Sequence, residues 1–267
     1  MKNRIGKQLL SVLLVLAMVL SLVPAVLATE ADKSDDIVVL YTNDVHNAVD
    51  AGDPTGSMGY ANLAAYKKEM EATHDNVVLV DAGDSIQGAA IGTLSNGQYL
   101  VDIMNYVGYD YATFGNHEFD FGMDVALSLL TNAEATYLSC NFIDLRTGET
   151  VADAYDIATY GDLKVAYVGI STPESFTKST PTYFQDADGN YIYGFCEGGD
   201  GQDLYDQVQA TIDDAKEAGA DLVIAIAHLG VDEASEPWTS KDVIANTTGL
   251  AAVIDGHSHS TIAGETV

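Results

Sequence analysis

The sequence predicts an α/β protein with a largely parallel sheet, and three observations predict it. Short, continuous apolar runs recur along the chain, the pattern of strands covered on both faces. Between them lie stretches with apolar residues at helical spacing, and strands alternating with helices imply βαβ units. Polar motifs rich in His, Asp and Gly follow the runs directly, at the edge where open α/β sheets place their ligand sites.

Residues 1–28 stand apart from this pattern. Lys2, Arg4 and Lys7 precede an apolar run over residues 9–20 that only Ser11 interrupts, and Val26-Leu27-Ala28 offers a cleavage site. That is the layout of a secretory signal peptide. It predicts a secreted, periplasmic or cell-surface protein with no stable membrane span after processing. An uncleaved anchor is the alternative, but the run is short for a span. Residues 29–36 read as a short linker and residues 37–267 as one domain.

The first predicted strand is Ile37-Val38-Val39-Leu40-Tyr41, and Val77-Val78-Leu79-Val80 is the second. Leu100, Ile103, Met104 and Val107 then fall at i, i+3, i+4 and i+7 of a helix that Gly108 stops. Further strands are Tyr111-Ala112-Thr113-Phe114 and Val165-Ala166-Tyr167-Val168-Gly169-Ile170. Residues 185–202, rich in Gly, Asp and Tyr, read as one long loop. Leu204, Val208, Ile212 and Ala215 predict a second helix, with Asp203 as N-cap and Gly219 closing it. Leu222-Val223-Ile224-Ala225-Ile226-Ala227 and the shorter Ala251-Ala252-Val253-Ile254 complete the strands.

Hydrophobic residues make up 47% of the chain, enough for a full core. Removing residues 1–28 takes away three basic residues and no acid, leaving 40 acidic against 8 basic residues, a formal charge of −32. Such a surface repels nucleic acid polymers and anionic lipid. A small phosphorylated substrate remains compatible, because bound divalent cations reverse the local field. The two cysteines, Cys140 and Cys196, either pair in an exported chain or sit as buried thiols.

Five motifs carry the chemistry: Asp44-Val45-His46, Gly83-Asp84, Gly115-Asn116-His117-Glu118, His228 and Gly256-His257-Ser258-His259. Each follows a predicted strand. Taken singly, each has a plain reading: a polar loop for Asp44 and His46, a turn-forming Asp84, a positive-φ Asn116, a core histidine at His228. Together they offer carboxylate, imidazole and amide oxygens at one edge, and they include every histidine but His74, which sits at a predicted helix end. An Asp84 carboxylate has two oxygens and could bridge two cations. His117 and Asp120 are three apart, so a helical turn would let Asp120 orient the imidazole. Alternatively, Glu118 or Asp120 simply begins a helix, where acids suit the dipole.

This motif set resembles the calcineurin-like metallophosphoesterases. Thr42-Asn43-Asp44-Val45-His46, Gly83-Asp84-Ser85-Ile86-Gln87-Gly88, Gly115-Asn116-His117-Glu118-Phe119-Asp120-Phe121-Gly122 and Thr172-Pro173-Glu174 are similar to the exported 5′-nucleotidase branch, which includes 2′,3′-cyclic-nucleotide phosphodiesterases and nucleotide-sugar hydrolases. The resemblance implies a four-layer α/β/β/α sandwich and two divalent metal ions (Zn, Mn, Fe or Co). Asp44, His46, Asp84 and His259 would hold one, and Asp84, Asn116, His228 and His257 the other, with Asp84 bridging. His117, oriented by Asp120, would assist the phosphoryl transition state. The implied reaction is in-line attack of a metal-bound hydroxide on a nucleotide phosphate ester.

In that branch a C-terminal domain binds the nucleoside. The sequence ends at Val267, eight residues past His259, so the expectation is a metal domain whose nucleoside-binding domain and last strands are missing or supplied by a partner, leaving a sheet edge unpaired. Two alternatives follow: a non-catalytic or partner-dependent fragment that binds metal, and a phosphodiesterase acting on cyclic nucleotides or nucleotide sugars.

Overall fold

A computed structural model describes residues 33–52, 57–262 and 264. The expected signal peptide lies outside the described residues. No helix among the described residues is long and apolar enough to cross a membrane.

Two four-stranded sheets form the body. The first has the order β1 (Ser34–Thr42), β2 (His74–Asp81), β3 (Tyr111–Thr113), β4 (Thr136–Leu138), all parallel. The second has the order β11 (Ala252–Asp255), β10 (Leu222–His228), β8 (Leu163–Ser171), β7 (Tyr155–Tyr160), parallel except for the β7–β8 hairpin. A small antiparallel sheet joins β5 (Ile143–Asp144), β6 (Glu149–Thr150) and β9 (Tyr193–Gly194).

The apolar runs are continuous because each central strand is covered twice. In β2, Val78 and Val80 face the second sheet, where they pack with Tyr111 and Leu138 against Val165, Tyr167 and Ile226. Tyr111 and Tyr167 stack with ring centroids 4.6 Å apart. Leu79, between the two valines, belongs instead to the outer core. That core includes residues of α1 (Tyr60–Thr73), α3 (Gln98–Val107) and α4 (Met123–Asn132). On the far side, Ala166, Val168, Val223 and Ala225 meet α6 (Gln202–Glu217) and α7 (Ser240–Asn246). The result is the four-layer α/β/β/α sandwich that the motifs imply. Two short helices, α2 (Ala90–Ser95) and α5 (Ser175–Lys178), lie in connections.

Several local expectations change. α6 begins after Gly201, so Asp203 lies within its first turn and does not cap it. A carboxylate there still suits the helix dipole. The stretch 185–202 is not all loop, because Tyr193 and Gly194 pair with β5. In α3 the fully buried positions are Leu100, Val101, Met104 and Val107, with Ile103 only partly buried. Gly108 closes α3 at φ 83°, as its position predicts. Cys140 and Cys196 are free thiols, Cys140 buried in the core that α6 covers and Cys196 partly buried against it.

Candidate metal centre

Five strands of the two sheets deliver the motifs to one edge. Asp44 and His46 follow β1, Asp84 follows β2, Asn116 follows β3, His228 ends β10, and His257 and His259 follow β11. Backbone hydrogen bonds join the first two loops, from Asp44 N–H to Gly83 O and from His46 N–H to Asp84 O, both at 3.0 Å. His257 N–H ties the second sheet to the first by donating to the Asp44 carboxylate at 2.9 Å.

The chain is contorted here. Asp44, His46, Asp84, His257 and His259 all have positive φ, from 45° to 78°. Non-glycine residues rarely adopt that region, and holding one there costs about 1–3 kcal/mol. Asn116, by contrast, has φ −73°, so the positive-φ turn falls at Asp84 and not at Asn116. Gly115 is required for a different reason. A Cβ at that position would come within 2.3 Å of Asp84 Oδ1.

Asp84 is the hub. Its Oδ1 accepts the His117 backbone N–H at 2.8 Å. Its Oδ2 lies 3.0 Å from His228 Nε2 and 3.8 Å from His46 Nε2. Asp44 Oδ1 lies 3.6 Å from His259 Nε2 and 4.0 Å from His228 Nε2. His46 and His259 point their Nε2 atoms at each other, 3.1 Å apart. Donor atoms of Asp44, His46 and His259 lie within 4.8 Å of one another, as do those of Asp84, His228 and His257, and those of His46, Asp84 and His117.

The donors fit divalent cations. Asn116 Oδ1 is buried without a hydrogen-bond donor. His228 Nε2 is close to Asp84 but misaligned for a hydrogen bond, and it is buried too. A desolvated amide oxygen without a donor is costly unless something such as a cation meets it, and the His228 ring nitrogen sits against the Asp84 carboxylate. Electrostatics agree. Burial opposes a charge on His228, yet the Asp84 and Asp44 carboxylates push its pKa up to about 10. Burial likewise opposes charge on Asp84, but His228 and His117 hold its carboxyl below the ordinary range. The site concentrates negative charge that a proton on His228 offsets, and a cation would take that proton's place.

His117 is set slightly apart. It begins a short 3-10 turn, His117–Phe119, and its Nδ1 lies 2.6 Å from Asp120 Oδ2. Ser179 Oγ donates to the other Asp120 oxygen at 2.9 Å. The hydrogen bond to Asp120 raises the His117 pKa against the opposing effect of burial, and Asp84 adds to the rise. His117, His46 and His259 line a cleft of about 1060 Å³ with Val45, Ala89 and Ile91.

Four carboxylates that the motifs did not assign hold this arrangement. Glu118 lies in the first turn of the short 3-10 helix, but its side chain is fully buried. Its Oε2 accepts the N–H groups of Asp84 at 2.8 Å and Gly115 at 2.7 Å, and its Oε1 accepts that of Ser85 at 2.8 Å. It clamps the loop after β2 to the loop after β3. Asp81 accepts from Thr42 Oγ1, Ser85 Oγ and Gly83 N–H, and burial pushes its pKa up to about 7. Asp255 gathers the N–H groups of Leu229, Gly230 and Gly256. Glu174 meets His257 Nε2 at 2.8 Å. A single sequence signal marks Glu118: a charged residue set between the buried Phe114 and Phe119.

Comparison with known proteins places the chain in a family. The family model described as calcineurin-like phosphoesterase matches residues 37–261. A snake venom 5′-nucleotidase from Gloydius brevicauda is 30% identical over 246 residues, 86% of this chain and 38% of that protein. A 2′,3′-cyclic-nucleotide 2′-phosphodiesterase/3′-nucleotidase from Haemophilus influenzae is 28% identical, covering 85% of this chain and 37% of that protein. The crystal structure of calcineurin-like phosphoesterase YfkN from Bacillus subtilis superposes with a TM-score of 0.68 at 25% identity, over 84% of this chain and 72% of that one. The chain thus spans about two fifths of the length of these curated relatives.

Proposed function

The chain belongs to the calcineurin-like phosphoesterase family, and from that premise we propose that it hydrolyses phosphate esters of nucleotides at a site for two divalent cations. One observation carries the reading: Asp84 Oδ2 lies between His228 and His46, one imidazole from each ligand set. Asp44, His46, Asp84 and His259 would hold one cation, and Asp84, Asn116, His228 and His257 the other. Carboxylate, imidazole and amide donors suit Zn, Mn, Fe or Co. When bound, the cations stabilise charge on the phosphoryl group and activate water at neutral pH.

The remaining steps fall to the chain's own residues. Asp120 occupies His117 Nδ1 and leaves Nε2 to donate to a phosphoryl or leaving oxygen. The Asp84 carboxylate fixes the His117 main chain, so ligand and proton donor move as one unit. The names of the relatives support a nucleotide substrate, and the Haemophilus relative supports a second reading as a cyclic-nucleotide phosphodiesterase. Lys2, Arg4 and Lys7 ahead of the apolar run support export, with Thr29 expected as the first residue of the protein recovered outside the cytoplasm.

The test is phosphate release from 5′-AMP and from 2′,3′-cyclic AMP with Mn²⁺ or Zn²⁺, against a chelated control and Asp84→Ala. Release from the monoester that needs metal and Asp84 supports the first reading; release from the cyclic ester supports the second. Wild-type turnover by Asp84→Ala refutes the site. Folded protein that takes up metal and releases nothing from either ester supports a metal-bearing portion that needs a further segment.

A further inference from the structure

His257 is held differently from the other ring donors. His46 turns Nδ1 to the carbonyl of Gln87 at 3.2 Å, and His228 turns Nδ1 to the carbonyl of Ala82 at 2.6 Å. Both therefore present Nε2 to the centre. His257 is reversed: its Nε2 meets Glu174 Oε2 at 2.8 Å, which leaves Nδ1 for the centre. Of the three acceptors, only Glu174 carries a charge. The carboxylate is itself held firmly. Ser235 Oγ donates to the same Oε2 at 2.6 Å, and the Glu174 N–H donates to Thr172 Oγ1 at 3.1 Å. Its side chain is 10% exposed, and Lys178 Nζ, at 3.9 Å from Oε1, is beyond hydrogen-bond range. Glu174 follows β8, Ser235 follows β10 and His257 follows β11, so three loops of the second sheet converge on one carboxylate.

We propose that Glu174 is the positioning residue for His257: it accepts the Nε2–H, fixes the tautomer with the lone pair on Nδ1, and strengthens that nitrogen as a donor to a divalent cation. The proposal rests on His257 being a cation ligand. A carboxylate behind a ligating imidazole orients the ring and raises its basicity, and its loss weakens metal binding about 10–100-fold. The effect belongs to one cation of the two, because Glu174 touches His257 and neither His46 nor His259.

The experiment is calorimetric titration of the full chain with Mn²⁺ alone, for the wild type, Glu174→Gln and Glu174→Ala, beside ¹⁵N-histidine spectra of the metal-free proteins. The wild type should take up two equivalents. Glu174→Gln keeps an acceptor without the charge and should weaken one equivalent about 10-fold; Glu174→Ala should weaken the same one about 100-fold. The second equivalent should bind unchanged. The His257 ring should report a single tautomer in the wild type and a mixture in Glu174→Ala. If the Ala variant does not fold, the near-isosteric Gln variant decides. Wild-type affinity at both equivalents in the variants, or equal weakening of both, overturns the role of Glu174. A wild-type chain that takes up no Mn²⁺ overturns the two-cation reading itself and the proposal with it.

Discussion

At the scale of single residues, the centre depends on carboxylates with different tasks. Asp84 faces the imidazoles, Asp120 faces one ring, and Glu118 faces only backbone N–H groups. The His117–Asp120 contact sets a pH dependence. Asp120 holds His117 charged to higher pH than an isolated imidazole, so the proton is lost only as pH rises past that elevated value. Asp120→Asn should lower the His117 pKa and move the alkaline limb of the pH–rate profile to lower pH, with metal affinity unchanged; a profile identical to wild type would remove Asp120 from this role. Glu118→Gln tests the clamp. An amide would turn an NH₂ group toward backbone N–H groups that now have an acceptor, and leaving buried donors unpaired costs about 1–3 kcal/mol each. The denaturant midpoint should fall, reporting a loss of at least about 2 kcal/mol of stability, with metal affinity lost alongside, because the loops carrying Asp84 and Asn116 share that clamp.

At the scale of elements, short loops after parallel strands do the positioning, and α7 shows how a helix supports one of them. Thr239 caps α7 through Asp242 N–H, and the Asp242 side chain answers the Thr239 N–H. Ser240 N–H then donates to Gly230 O at 3.0 Å, two residues past His228. Thr239→Ala should cost about 1 kcal/mol, visible in thermal melting. Turnover should persist, because His228 is also held by Ala82 O. The same scale explains what the sequence displayed. β2, β8 and β10 were legible because both faces are covered and the apolar run is unbroken. β7 mixes exposed and half-buried residues at the edge of the second sheet, and β9 is two residues within a Gly-rich stretch, so neither has a run to show. The ligand candidates were legible because metal-binding residue types fall at strand ends. The tasks of Glu118, Asp81, Asp255 and Glu174 were not: three act on backbone donors and one on an imidazole, brought near by other segments, and an acid in a sequence, even one within a motif or between buried aromatics, does not show what it will meet.

At the scale of the molecule, two forms of negative charge act together. The chain beyond residue 28 carries a formal −32, most of it on the surface, while the buried Asp44, Asp81, Asp84 and Glu118 side chains crowd one edge of the sandwich. Self-repulsion of the first kind is screened by salt, with a Debye length of about 10 Å at 0.1 M. The second kind is buried, where salt screens little, and only a bound cation or a proton relieves it. The two are therefore separable by experiment. Adding monovalent salt should raise the melting temperature with or without chelator, by relieving the surface. Adding Mn²⁺ should raise it further as its concentration grows, through a stabilisation that scales with the logarithm of that concentration and reaches about 2.7 kcal/mol at 100 times the dissociation constant. That second gain should disappear in Asp84→Ala and shrink as pH falls, because protons compete for the same donors. A melting temperature that responds to Mn²⁺ no more than to an equal ionic strength of NaCl would mean that the buried charge is satisfied without a cation, and the two-cation reading would fall.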